Sequence, residues 1–232
     1  MHIEYFPDEE SLSRRGVALI LEEIRKKRNL LLCAASGNSP SRIYGKLIQE
    51  SEKDQTLFRD LRIIKLDEWW SVPANSEGTC EHYIRKKLVE PLSIPDDRYI
   101  SFLSDVTDPD VECNRIRTVL QQQGPIDLAV LGLGRNGHIG LNEPGRYLEP
   151  YCHQALLSEQ SRKHGMIGFM VEKPSHGMTL GMKEILSSRK IILIVSGEDK
   201  KDAANFLFSG KVTTECPATF LWLHDQTFCL VL

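Results

Sequence analysis

The stretch Leu30-Leu31-Leu32-Cys33-Ala34-Ala35-Ser36-Gly37-Asn38-Ser39-Pro40 sets an unbroken apolar run against a small polar turn, and the turn against a helix start. A continuous apolar run suits a strand covered on both faces, as in a parallel sheet; a half-exposed strand would alternate. Ser39 reads as an N-cap with Pro40 at the first helical position, and the helix continues to Glu50. The same grammar recurs along the chain. Leu61-Arg62-Ile63-Ile64-Lys65-Leu66 leads into Asp67-Glu68-Trp69-Trp70, and Ile126-Asp127-Leu128-Ala129-Val130-Leu131 leads into a glycine-rich segment. Ile191-Ile192-Leu193-Ile194-Val195 leads into Ser196-Gly197-Glu198-Asp199-Lys200, and Phe228-Cys229-Leu230-Val231-Leu232 closes the chain. Between the runs, Leu12, Leu19, Ile20 and Ile24 mark one face of a helix over about residues 10–27. Cys80 to Glu90 and Asp199 to Phe208 carry similar spacing. Strands alternating with helices predict an α/β fold: a doubly wound, mostly parallel sheet with helices on both faces, Rossmann-like.

At 232 residues, one core can still grow without splitting, and no Pro/Ser/Gly-rich linker divides the chain, so residues 1–232 are expected to form a single domain. Lys and Arg (29) nearly balance Asp and Glu (32), leaving no basic field to hold a nucleic-acid backbone. No apolar stretch reaches the ~20 residues that span a bilayer. The six cysteines are scattered without a Cys-x-x-Cys pair, which argues against a zinc site or a disulfide framework. With the polar, acidic opening Met1-His2-Ile3-Glu4-Tyr5-Phe6-Pro7-Asp8-Glu9-Glu10, unlike a secretory leader, the expectation is a cytoplasmic chain with reduced thiols. The basic run Arg25-Lys26-Lys27-Arg28 reads as a solvated helix end.

Ligands of open α/β sheets bind beyond the carboxyl ends of the strands, which is where the polar segments fall. Ser36-Gly37-Asn38-Ser39 lets backbone N–H groups approach an anion at a helix start, although an ordinary capped turn has the same composition. Lys200 stands at a second helix start, where a bound phosphate would give it a partner. Asp67, beside bulky indoles at a strand end, is placed for desolvation to lift its pKa toward proton-transfer use; Glu68 adjoins it. Gly132-x-Gly134-x-x-Gly137 matches the dinucleotide fingerprint literally. However, Asn142, Pro144 and Gly145 break the helix that motif must open, and no strand-ending acid follows, so a nicotinamide cofactor is rejected. His138 and Glu143 lack the His-Glu-x-x-His spacing of a zinc site. Flanked by glycines, His138 has no bulky neighbours to hide it, which favours proton transfer.

The segment Gly134-x-Asn136-Gly137-His138-Ile139-Gly140-Leu141-Asn142-Glu143-Pro144 resembles the signature of the glucosamine/galactosamine-6-phosphate isomerases (deaminases), a family that also includes the 6-phosphogluconolactonases. Ser36 to Pro40 resembles its phosphate loop, Leu66-Asp67-Glu68 its catalytic strand end and Gly197-x-x-Lys200 its late lysine motif. Thr179-Leu180-Gly181 resembles the turn before its last helix. The resemblance covers nearly the whole chain, and the Asn-Glu-Pro ending is like the deaminases.

The resemblance implies Asp67 as the base that moves a proton between C2 and C1, and His138 as the group that assists ring opening. It implies Glu143 as the residue that orients and charges His138, and Lys200 with Gly37 to Ser39 as the phosphate holders. Asn136 stands where the glucosamine enzymes usually carry Asp, which places the chain nearer the galactosamine-6-phosphate branch. The family's mid-chain phosphate arginine has no clean match; Arg162 falls several residues short of its place. The expected reaction is conversion of galactosamine-6-phosphate to tagatose-6-phosphate and ammonia, without cofactor or metal. Its rivals are glucosamine-6-phosphate deamination, lactone hydrolysis and a silent sugar-phosphate sensor. The expected partner is a phosphorylated sugar, with no nucleic acid and no membrane, and self-assembly into a homo-oligomer is left open.

Overall fold

The computed structural model describes residues 1–74, 76–163, 165–170 and 173–232. In chain order the elements are β1 (His2–Tyr5), α1 (Glu9–Lys26), β2 (Leu31–Ala34), α2 (Asn38–Lys53), β3 (Arg62–Lys65), β4 (Asp67–Trp69), α3 (Cys80–Ile84) and β5 (Tyr99–Ile100). They continue with α4 (Pro109–Gln123), β6 (Leu128–Gly132), β7 (His153–Leu156), β8 (His176–Thr179), α5 (Met182–Leu186), β9 (Lys190–Val195), α6 (Lys201–Leu207) and β10 (Thr227–Val231).

The five apolar runs become β2, β3, β6, β9 and β10 inside a seven-stranded sheet of order β1-β10-β9-β6-β2-β3-β5, with every pair parallel. Side chains of successive strand residues leave opposite faces, and the core divides accordingly. Leu32, Ala34, Ile63, Val130 and Ile192 pack against α1, α2 and α3 on one face. Leu31, Cys33, Ile64, Leu131 and Leu193 pack against α4, α5 and α6 on the other. The doubly wound arrangement is therefore as the sequence predicts. Strand order reverses between β2 and β6, the switch point of the sheet.

Several details differ from expectation. α2 begins at Asn38 with Gly37 at the N-cap, so Ser39 lies inside the first turn and Pro40 follows it. The reason is Gly37, whose φ of 104° turns the chain two residues before the serine could cap it. The Cys80 run leaves α3 for a π-helical turn over Arg85–Val89, and the Asp199 run opens as a 3₁₀ turn over Glu198–Lys200. Thr179-Leu180-Gly181 precedes α5, and α6 still follows. Lys27 is drawn from solvent onto the buried Asp127, 2.7 Å away, whose Oδ2 also accepts the Leu31 N–H. Edge strands β1 and β5 and helix α4 lie outside the apolar pattern, as does a second, antiparallel sheet of order β4-β8-β7. Among the described residues no helix is long and apolar enough to cross a membrane.

Candidate active site

Beyond the carboxyl ends of β2, β3, β6 and β9 lies a cleft of about 200 Å³. Ser36 to Ser39, Asp67, Gly132 to Gly134, His138 and Lys200 all line it, so the four polar segments converge as predicted.

Asp67 opens β4 and is 8% exposed, with Oδ1 buried and without a hydrogen-bond partner. Burial, seconded by the neighbouring Glu68 charge, pushes its pKa up to about 6, against the Cys80 thiol, His138 and Lys65. Trp69, 4% exposed, contributes to the wall, its indole N–H donating to the Gly78 carbonyl at 3.1 Å.

His138 sits on the loop after β6, where no helix forms. Gly134 is required by close approach: a Cβ there would lie 2.3 Å from His138 Cδ2. Gly137 adopts φ +85°, which returns the chain so that the ring lies over Gly134. Behind the ring, Glu143 Oε2 lies 3.6 Å from His138 Nδ1 and accepts the Asn136 amide at 2.7 Å. Asn136 Oδ1 in turn accepts the His138 backbone N–H at 3.1 Å. Burial opposes a charge on Glu143, yet His138, Ser161 and Asn136 together hold its carboxyl at about 2. Glu143 is an anion across the neutral range, and the amide of Asn136 serves as its donor.

On the opposite wall the first turn of α2 carries no side-chain cap bond. Tyr83 donates to the Gly37 carbonyl at 2.6 Å and fixes the loop. Lys200 Nζ reaches the Leu133 carbonyl, and burial lowers its pKa, with Arg135 adding to the effect and Asp199 opposing it. Arg135 also lines the cleft and pairs with Asp199 at 2.6 Å. A dianion here would meet one half-buried lysine, one arginine and a helix start, the surroundings that stabilise phosphate.

Two expected candidates fall elsewhere. Glu68 points away from the cleft: it is fully buried, pairs with Lys65 at 2.6 Å, and accepts the backbone N–H groups of Trp69, Cys80 and Glu81. Alternation along β4 sends its side chain to the opposite face from Asp67. Its task is to tie β4 to the start of α3. Arg162 is exposed on the 3₁₀ turn Ser161–Lys163 and does not line the cleft; its neighbours Gln160 and Ser161 do. Ser158 and Ser161 carry no motif, and only the approach of their loop to Glu143 brings them in; Arg135 occupies the unspecified position of the His138 signature, which gives no sign of its role. Among the described residues no group of three or more His, Cys, Asp or Glu side chains could hold a metal ion.

Comparison with known proteins bears on the family and the fold. The family described as glucosamine-6-phosphate isomerases/6-phosphogluconolactonase matches residues 7–229. A protein of Escherichia coli K12 named "Putative deaminase AgaI" is 40% identical over 221 residues, covering 95% of this chain and 88% of its own. The glucosamine-6-phosphate deaminase of Bacillus pumilus SAFR-032 is 34% identical, covering 100% of this chain and 97% of its own. Among solved structures, a monomeric glucosamine-6-phosphate deaminase superposes with a TM-score of 0.94 at 27% identity, covering 100% of this chain and 97% of that one.

Proposed function

The chain belongs to the glucosamine-6-phosphate isomerase/6-phosphogluconolactonase family, and we propose that within it this enzyme deaminates and isomerises 2-amino-2-deoxyhexose 6-phosphates, with galactosamine-6-phosphate preferred. The observation that carries the reaction class is Asp67: a buried carboxylate with an unpartnered oxygen and a pKa of about 6, in the same cleft as His138. A base of that strength is ionised at neutral pH yet ready to hold a proton for return. Lactone hydrolysis would ask this cleft to activate a water, whereas the deaminase reaction asks it to take a proton from carbon.

The phosphate binds at the α2 start and Lys200, far from the reacting carbons, so its binding positions them. His138, backed by the Glu143 anion, moves the proton between the anomeric hydroxyl and the ring oxygen, which opens the pyranose. Asp67 removes the C2 proton to give an enolamine and returns it to C1. The resulting C2 imine adds water and expels ammonia, leaving tagatose-6-phosphate from the galacto epimer. Each transfer is ordinary acid–base catalysis, worth ~10²–10⁴.

Support for the galacto epimer is Asn136, which stands where the glucosamine enzymes usually carry Asp. It lies behind His138, where its amide donates to Glu143 and its oxygen accepts the His138 N–H. A second reading, preference for glucosamine-6-phosphate, is favoured by the relatives of that name. Ammonia release assayed side by side on both epimers, with 6-phosphogluconolactone as control, tests both. Faster turnover of galactosamine-6-phosphate is expected; faster turnover of the gluco epimer selects the second reading, and hydrolysis of the lactone alone overturns both.

A further inference from the structure

His138 Nδ1 and Glu143 Oε2 stand 3.6 Å apart, beyond hydrogen-bond reach, although their charges attract. The gap is bridged. Ser161 Oγ lies 3.3 Å from His138 Nδ1 and donates to Glu143 Oε1. Ser158 Oγ donates to Ser161 Oγ at 3.1 Å, and itself accepts the Ser161 N–H at 3.1 Å and the Asn136 amide at 3.3 Å. The Ser158 N–H approaches Glu143 Oε1 at 3.4 Å.

The protons in this cluster have one consistent arrangement. Glu143, held at about 2, is ionised and can only accept. The single Ser161 hydroxyl proton therefore goes to Glu143, and that of Ser158 goes to Ser161. Ser161 Oγ then has only a lone pair to offer the imidazole, so Nδ1 must carry the ring proton. In the neutral ring this leaves Nε2 as the base on the side of the cleft.

We propose that Ser161 is a positioning residue: its hydroxyl links Glu143 to His138 and fixes the Nδ1–H tautomer that presents a free Nε2 to the substrate. Its hydroxyl adds no charge and consumes no proton in the cycle; when Nε2 takes a proton, the Glu143 anion stabilises the imidazolium across the same hydroxyl. The consequence for turnover rests on the ring-opening role given to His138 above; the tautomer itself does not.

The experiment separates the two. In ¹⁵N-histidine-labelled protein without substrate, long-range ¹H–¹⁵N spectra above the imidazole pKa identify the His138 tautomer, assigned by its loss in His138→Gln. The parent and Ser161→Thr are expected to show Nδ1–H, and Ser161→Ala a mixture of tautomers. With substrate, Ser161→Ala is expected to lose about tenfold or more in kcat with KM changed less than threefold, while Ser161→Thr stays within about threefold of the parent. A parent spectrum of the Nε2–H form overturns the proposal, and needs no variant to fold. So does a folded Ser161→Ala protein whose tautomer is as pure as the parent's, because Glu143 would then hold the ring unaided. A parent that releases no ammonia from any amino-sugar phosphate refutes the deaminase reading and leaves the tautomer result standing.

Discussion

Asp67 sits where a carboxylate charge is least stable, and the resulting cost is the source of its proposed use. In the unfolded chain it ionises near 3.8; in the folded chain near 6, because burial and Glu68 disfavour the anion. Below the lower value both states are protonated and folding is unaffected. As pH rises through the interval the folded state loses up to about 3 kcal/mol, and above it the loss is constant. Asp67→Asn is therefore expected to be about 1–3 kcal/mol more stable than the parent at pH 7 and nearly equal to it near pH 3.5, as urea unfolding would show. The same variant is expected to lose at least ~10²–10⁴ in turnover. In the parent, kcat/KM is expected to fall as pH drops through about 6, where Asp67 takes up the proton that disables it as a base. A flat acid limb would remove Asp67 from proton abstraction.

At the scale of elements, two short junctions hold the site. Between β3 and β4, Lys65 is fully buried against Glu68 at 2.6 Å and Glu81 at 2.9 Å, and Tyr99 and Ser101 also donate to Glu81. Removing the cation leaves Glu68 fully buried without a counter-charge, while Glu81 keeps Arg85 at 2.6 Å, so Lys65→Met is expected to cost about 3–5 kcal/mol in urea unfolding. After β6, the loop holds His138 over Gly134, with no room for a methyl group. Gly134→Ala is expected to displace the imidazole and lower kcat/KM by about 10²-fold, while the circular dichroism spectrum stays that of the parent. Neither junction was visible as such in the sequence. Lys65 reads as the polar interruption of an apolar run, and Gly134 opens the signature that carries His138 without showing that the ring lies over it.

For the whole molecule, the cleft exists because the sheet reverses its order between β2 and β6, opening a crevice into which four strands deliver their ends. A phosphorylated open-chain hexitol should bind there without reacting. At a hundred times its Kd it is expected to raise parent stability by about 2.7 kcal/mol, with most of the gain lost in Lys200→Ala; equal protection of both proteins would move the phosphate elsewhere. Much of this architecture was legible beforehand. Strands buried on both faces must be continuously apolar, so five of them and the α/β class could be read directly, as could the strand-end positions of Asp67, His138 and Lys200. The edges β1 and β5 escaped because they are short or half-exposed, and the β4-β8-β7 sheet because its strands are brief and read as loop. Local sequence determines which residues a strand buries and where its chain turns, since these depend on neighbours a few positions away. It does not determine which face of β4 meets the cleft, that Glu68 turns to Lys65, or that Ser158 and Ser161 close on Glu143. Those contacts join segments distant in the chain, and only the packing of the sheets sets their distances and burial.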